Sequence, residues 1–285
     1  MSIRTIGVIG SGSMGTGIAH IAAQSGYEVI LNDVSAQALE RSLGSIAAAF
    51  DKLVAKGKVS EAVKNETLGR IHTTTELTAM AKADLVIEAI FENLEAKCDL
   101  MKKLDTICPP ETILSSNTST MSITKMAAVT GRPDRFAGLH FFNPATIMRL
   151  VEVIRGYYTS DATIETLMTV VRSLGKEGIE VKKDTPGFVV NRLMLPQLRE
   201  AVLVYEEGIA SIEDIDKAMT LGLNHPMGPF TLMDYTGIDI AYDSLNYLQA
   251  ELGESRWSAP QAMKRLINAK RLGKKTGGKG WYTAQ

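Results

Sequence analysis

A chain of 285 residues with 45% hydrophobic side chains is long enough for two domains, each with its own core. Lys and Arg number 31 against 32 Asp and Glu, and a net charge of −1 excludes the basic field that nucleic acid or an anionic membrane surface requires, so neither is an expected partner. No apolar run approaches the roughly 18 residues of a membrane span, the first glycine turn comes too early for a secretory leader, and Cys98 and Cys108 are too far apart for a C-x-x-C pair; the expectation is a cytoplasmic protein with two unremarkable thiols.

Residues 3–9 form a short β-branched run, which predicts a buried strand. Gly10, Ser11, Gly12, Ser13, Met14 and Gly15 follow as G-x-G-x-x-G and open an apolar helix through Ile18 and Ala23. The three glycines serve different ends. Gly10 permits the tight turn, Gly12 lets backbone approach a pyrophosphate, and Gly15 lets the helix pack close to the sheet. The N–H groups of the helix start then face phosphate. Residues 27–33 return as an apolar strand ending in Asp33, a carboxylate about 20 residues on, placed to accept hydrogen bonds from an adenosine ribose. Such a carboxylate suits a free 2′-hydroxyl and repels a 2′-phosphate, so the expected cofactor is NAD and not NADP.

From Ser35 to about Leu68 the pattern is helical, broken by a turn near Gly57, with Ser60 placed to cap the second helix. That is longer than one crossover helix needs and predicts a projecting helical hairpin. Residues 84–90 read as another buried strand, and the loop after it carries Glu92 ahead of a helix containing Lys97; Pro109 and Pro110 stop that helix. Residues 112–116 form the next strand and deliver Asn117, Thr118 and Ser119 to the same sheet edge, where parallel sheets bind ligands. A strand over 136–142 ends in Asn143-Pro144, and 150–154 follows as LVEVI. Glu152 is out of place in that aliphatic run, because a carboxylate facing a core is costly unless paired. If the two strands form a hairpin centred near Thr146, His140 lies opposite it. A buried carboxylate partner holds a histidine in one tautomer and makes it a better base.

A helix over 161–175 and a strand over 177–181 end the first part. Residues 182–187 are a polar, turn-rich joint, and helical periodicity runs beyond it. In the first helix after the joint Phe188, Leu195, Leu198, Val202 and Tyr205 make an apolar stripe that also carries Asn191, an amide that needs a partner if buried. His225 sits in a turn and reads as structural. The basic stretch 272–280 reads as flexible, with Trp281 and Tyr282 as its anchor. There is no cluster of ligands with metal spacing.

Taken together, GSGSMGTGIA, VIEAIFEN, SSNTS, GLHFFNP, LVEVI, DTPGFVVNR, NHPMGP and GKKTGGKGWY, in this order along the chain, resemble the 3-hydroxyacyl-CoA dehydrogenase family and within it the small bacterial 3-hydroxybutyryl-CoA dehydrogenases. The resemblance implies an α/β fold with a Rossmann-type, mostly parallel sheet over residues 1–184, interrupted by the helical hairpin, and an all-α substrate-binding and dimerisation domain over 185–285. It implies that His140 is the catalytic base and Glu152 its orienting partner, and that Ser119 and Asn191 bind the reacting oxygen and the thioester end of the substrate. It further implies cofactor contacts from the glycine loop, Asp33, Glu92, Lys97, Ser119, Asn143 and Lys275, a CoA contact from Lys56, and a homodimer. Where the family pattern has a serine on the hairpin, this chain has Ala49. The expected reaction is NAD-dependent oxidation of a short L-3-hydroxyacyl-CoA to the 3-ketoacyl-CoA, and its reverse. The competing readings are a 3-hydroxyadipyl-CoA substrate, another β-hydroxyacid dehydrogenase that relies on a catalytic lysine, and a dinucleotide-binding protein without catalysis.

Overall fold

The short β-branched runs of the first half become strands of one sheet in a computed structural model of the chain, which describes residues 3–282. In chain order these are β1 (Thr5–Ile9), α1 (Ser13–Gln24), β2 (Glu28–Asn32), α2 (Ala36–Ala55), α3 (Glu61–Gly69), β3 (Ile71–Thr74), β4 (Leu85–Glu88), α4 (Leu94–Ile107), β5 (Ile113–Ser116), α5 (Ile123–Ala127), β6 (Phe136–Phe141), β7 (Leu150–Arg155), α6 (Asp161–Ser173) and β8 (Glu177–Val181). Among the described residues the eight strands pair in the order β3-β2-β1-β4-β5-β6-β7-β8. The first six in space are parallel, and β7 turns back antiparallel to β6. Strands β4, β5 and β6 are buried along their whole length, as expected of strands covered on both faces.

The order contains a switch point. The chain moves outward from β1 to β2 and β3, then crosses back to place β4 on the other side of β1, and a crevice opens at the carboxyl ends where the direction reverses. Five segments singled out from the sequence leave the sheet at that edge. The glycine loop follows β1, Asp33 follows β2, Glu92 follows β4, Asn117 to Ser119 follow β5, and Asn143 follows β6.

The hairpin of α2 and α3 forms as expected, with the Ser35 hydroxyl accepting from the Ala38 amide and that of Ser60 from the Val63 amide. It does not simply project, because α2 buries Leu39, Ile46 and Phe50 in the same core as Ile18, Ala22 and Val29. Strand β3 has no signal in the sequence pattern. Its four residues, IHTT, bury only Ile71, so a polar edge strand left no apolar period to see.

The chain divides into two compact units, Met1–Asp184 and Thr185–Gln285. The second is helical: α7 (Val190–Glu206), α8 (Ile212–Gly222), α9 (Pro229–Thr236), α10 (Ile238–Leu252) and α11 (Gln261–Asn268). Its core gathers Leu195, Leu198, Val202, Phe230, Leu245 and Trp257. Tyr205 departs from the expected stripe: it is 39% exposed, although its ring meets the edges of Phe230 and Trp281 with centroids 6.1 Å apart in both cases. The basic stretch is ordered against this core. Asp234 accepts the Trp281 amide at 2.8 Å and the Tyr282 amide at 3.0 Å, and the Tyr282 hydroxyl reaches Asp216 at 2.9 Å. No helix among the described residues is long and apolar enough to cross a membrane.

Candidate active site

Gly10 has φ of +97°, where a side chain would also run into the Ala89 carbonyl at 2.5 Å. The reason for Gly15 is sharper than helix-to-sheet packing, because a Cβ there would lie 1.8 Å from the Gly10 carbonyl oxygen. The loop is therefore closed on itself and leaves no room for a methyl group. Gly12 is the opposite case, with nothing within 4 Å of an added Cβ. Helix α1 starts from this open position without a side-chain cap and with no acidic residue in its first turn. In contrast α2, α3, α4, α5, α6 and α8 each carry a Ser or Asn cap. Unsatisfied N–H groups at an open helix start favour an anion.

Asp33 closes the other side of the loop. One carboxylate oxygen accepts both the amide and the hydroxyl of Ser11 at 2.8 Å, and the other accepts the Ser35 amide at 3.0 Å. Burial alone would raise its pKa, but these donors, with the charge of Arg41 added, hold it below the ordinary carboxylate value. The loop and Asp33 share a cavity of about 710 Å³ with α2, walled also by Thr16, His20, Arg41, Ala49 and Thr146. Lys56 is exposed at the end of α2. An open, uncapped helix start beside an ionised carboxylate fits the pyrophosphate and ribose of NAD.

At the ends of β4 and β5 the structure assembles a polar chain. Glu88, fully buried, accepts the Lys97 ammonium at 2.6 Å, the Ile90 amide at 2.8 Å and the Ser116 hydroxyl at 2.5 Å. Lys97, 1% exposed, also reaches Glu92 at 3.0 Å. Glu92 in turn accepts the Thr118 hydroxyl at 2.7 Å and the Ser119 amide at 2.9 Å. Burial pushes Glu92 up, yet the Lys97 charge, the Ser119 amide and the Thr118 hydroxyl outweigh it and keep its pKa lowered.

His140 lies opposite Glu152 in the β6–β7 register, and its Nδ1 is 2.7 Å from Glu152 Oε2. Both are buried, Glu152 completely. With the carboxylate as acceptor, His140 donates from Nδ1 in this contact. The Phe142 ring is 4.3 Å from the imidazole, tilted by 47°. The Asn117 side chain accepts the Phe141 amide at 2.9 Å, and the Ser13 hydroxyl meets the side-chain oxygen of Asn143 at 3.3 Å. The sheet edge thus carries a histidine–carboxylate pair on β6 and β7, a serine held by the Glu88–Lys97–Glu92 chain, and a phosphate-ready loop.

Two domains of one known family match the chain. The NAD binding domain of 3-hydroxyacyl-CoA dehydrogenase matches residues 5–185 and the C-terminal domain of 3-hydroxyacyl-CoA dehydrogenase matches residues 187–284. The chain belongs to this family. It is an NAD-dependent dehydrogenase with a Rossmann NAD-binding unit. A probable 3-hydroxybutyryl-CoA dehydrogenase of Deinococcus radiodurans is 46% identical over 97% of this chain and 98% of that relative. The mitochondrial hydroxyacyl-coenzyme A dehydrogenase of Homo sapiens is 44% identical over 98% of this chain and 91% of its own length. The crystal structure of (S)-3-hydroxybutyryl-CoA dehydrogenase from Ralstonia eutropha superposes with a TM-score of 0.96 at 43% identity, covering both chains fully.

Of the residues that the family pattern singles out, the first unit brings the glycine loop, Asp33, Glu92, Lys97, Ser119, Asn143, His140 and Glu152 to one sheet edge. In the second unit Asn191 is half-buried near the start of α7, and Lys275 is paired with Asp239 at 2.8 Å. Sequence reasoning missed Glu88, although the signal was the one that exposed Glu152: a carboxylate closing a wholly apolar strand. Arg41 gave no such sign, since a cation on a helix is usually a solvated face.

Proposed function

We propose that the protein interconverts a short-chain L-3-hydroxyacyl-CoA, such as 3-hydroxybutyryl-CoA, and the 3-ketoacyl-CoA, with His140 as general acid and base. The observation that carries the reading is the buried pair of His140 Nδ1 and Glu152 Oε2 at 2.7 Å. Bound NAD supplies the hydride acceptor. In oxidation Nε2 of His140 takes the proton of the 3-hydroxyl, and Glu152 stabilises the imidazolium that results. In reduction the imidazolium returns the proton. Ser119 is proposed to bind the reacting oxygen, with Asp33, Glu92, Asn143 and Lys275 serving the cofactor and Lys56 the CoA. The resemblance gives Asn191 a part in binding the substrate, an assignment that rests on the DTPGFVVNR motif. The names of the relatives from Deinococcus radiodurans and Ralstonia eutropha support a four-carbon acyl group.

The test is a panel of 3-ketoacyl-CoA thioesters of increasing length, with 3-ketoadipyl-CoA and free 3-keto acids, each with NADH and NADPH and followed by nicotinamide absorbance. Fastest turnover of acetoacetyl-CoA with NADH is the expected result. Preference for the adipyl thioester would change the substrate, preference for free acids would point to another β-hydroxyacid dehydrogenase, and NADH binding without turnover would remove the enzymatic reading.

A further inference from the structure

The Lys97 ammonium has three hydrogens, and three acceptors of its own chain meet it: Glu88 at 2.6 Å, Glu92 at 3.0 Å and the Ile90 carbonyl at 3.4 Å. Its side chain is 1% exposed, whereas that of Glu92 is 41% exposed. The chain of contacts therefore runs from a buried end at Ser116 and Glu88, through Lys97, to an accessible end at Glu92 and the Ser119 backbone. Two carboxylates against one ammonium would be expensive to bury unless each were hydrogen-bonded, and each is.

We propose that Glu88 is a positioning residue that acts through Lys97 to hold Glu92, and through Glu92 the loop of Ser119, with Lys97 an internal counterion rather than a group offered to a bound molecule. Glu88 binds Lys97 and Ser116, and so joins α4 to β5 beneath that loop. The Ser116 hydroxyl also accepts the Thr118 amide at 3.2 Å, so Glu88 supports one end of the turn that carries Ser119 through Ser116, and Glu92 holds the other. The proposal rests on the reading of this edge as the NAD site.

The experiment measures NADH affinity by nicotinamide fluorescence and folding by thermal melt for Glu88→Gln, Lys97→Met and the double variant of the full chain. Each single change should weaken NADH binding per folded molecule by about 10- to 100-fold, the scale of one lost hydrogen bond to a charged group. Because the pair acts as one unit, the double variant should be no weaker than either single one. A loss in Lys97→Met well beyond that in Glu88→Gln would make Lys97 a direct contact and overturn the proposal. Lower melting temperatures with unchanged affinity would leave the pair structural only. If Lys97→Met does not fold, Glu88→Gln decides alone, since it keeps the side-chain shape, and wild-type affinity there rejects the proposal. No acyl substrate enters the measurement, so failure of the thioester panel and failure of this proposal are told apart.

Discussion

His140 and Glu152 are meaningful as a pair because each explains the other: the imidazole justifies a fully buried carboxylate, and the carboxylate fixes the tautomer. His140→Gln should lower turnover by about 10²–10⁴-fold, the usual cost of losing a general acid or base. Adding Glu152→Gln to His140→Gln should cost little more, and fully additive losses in kcat would separate the two residues. Asp33 supports a second expectation. With Val34 beside it 97% exposed, Asp33→Ser with Val34→Arg should weaken NADH and improve NADPH as judged by kcat/KM, because a repelling carboxylate gives way to a cation. Unchanged cofactor preference would remove Asp33 from the ribose.

Two elements show how local form follows from contacts that the motif alone does not specify. The turn between β1 and α1 packs Gly15 against the Gly10 carbonyl, so Gly15→Ala must open the loop, at the ~1–3 kcal/mol typical of overpacking. NADH affinity measured by titration calorimetry should fall with it, and a variant binding as wild type would mean the loop adapts. The loop after β4 depends on charge. Glu92 has a pKa lowered from the ordinary 4.5, so its ionised form is favoured on folding. Its contribution is present above the ordinary value and is lost as pH falls through the lower native one. Glu92→Gln should therefore melt below the wild type at neutral pH, with the gap closing as pH drops below about 4.5. A gap that stays constant into the acid range would assign the loss to shape rather than charge.

At the scale of the whole molecule, the helical unit leaves Leu193, Ile209, Leu221, Leu223 and Ile240 more than half exposed. Large apolar side chains in contact with water mark an association surface where they form one contiguous patch. We propose a second copy of the chain as the occupant, giving a homodimer through this unit. Light scattering coupled to size exclusion should give twice the chain mass, and Leu221→Asp with Leu223→Asp should shift it toward one. A monomeric wild type at micromolar concentration would discard the dimer.

Much of the candidate site was legible in the sequence because its signals are local or obey a simple symmetry. The glycine loop needs only six consecutive residues, Ser60 caps the helix three residues on, and the pairing of His140 with Glu152 follows from the midpoint of a hairpin whose strands alternate faces. What tertiary structure decided was which distant groups meet. Sheet order alone puts Ser116 of β5 and Lys97 of α4 on Glu88 of β4, turning three separate residues into one charged chain. It also brings Ser11 to Asp33 across 22 residues, leaves Tyr205 partly in solvent, and adds the polar edge strand β3. A side chain's polarity says that it needs a partner, but the partner is set by which strand ends the crossovers bring together.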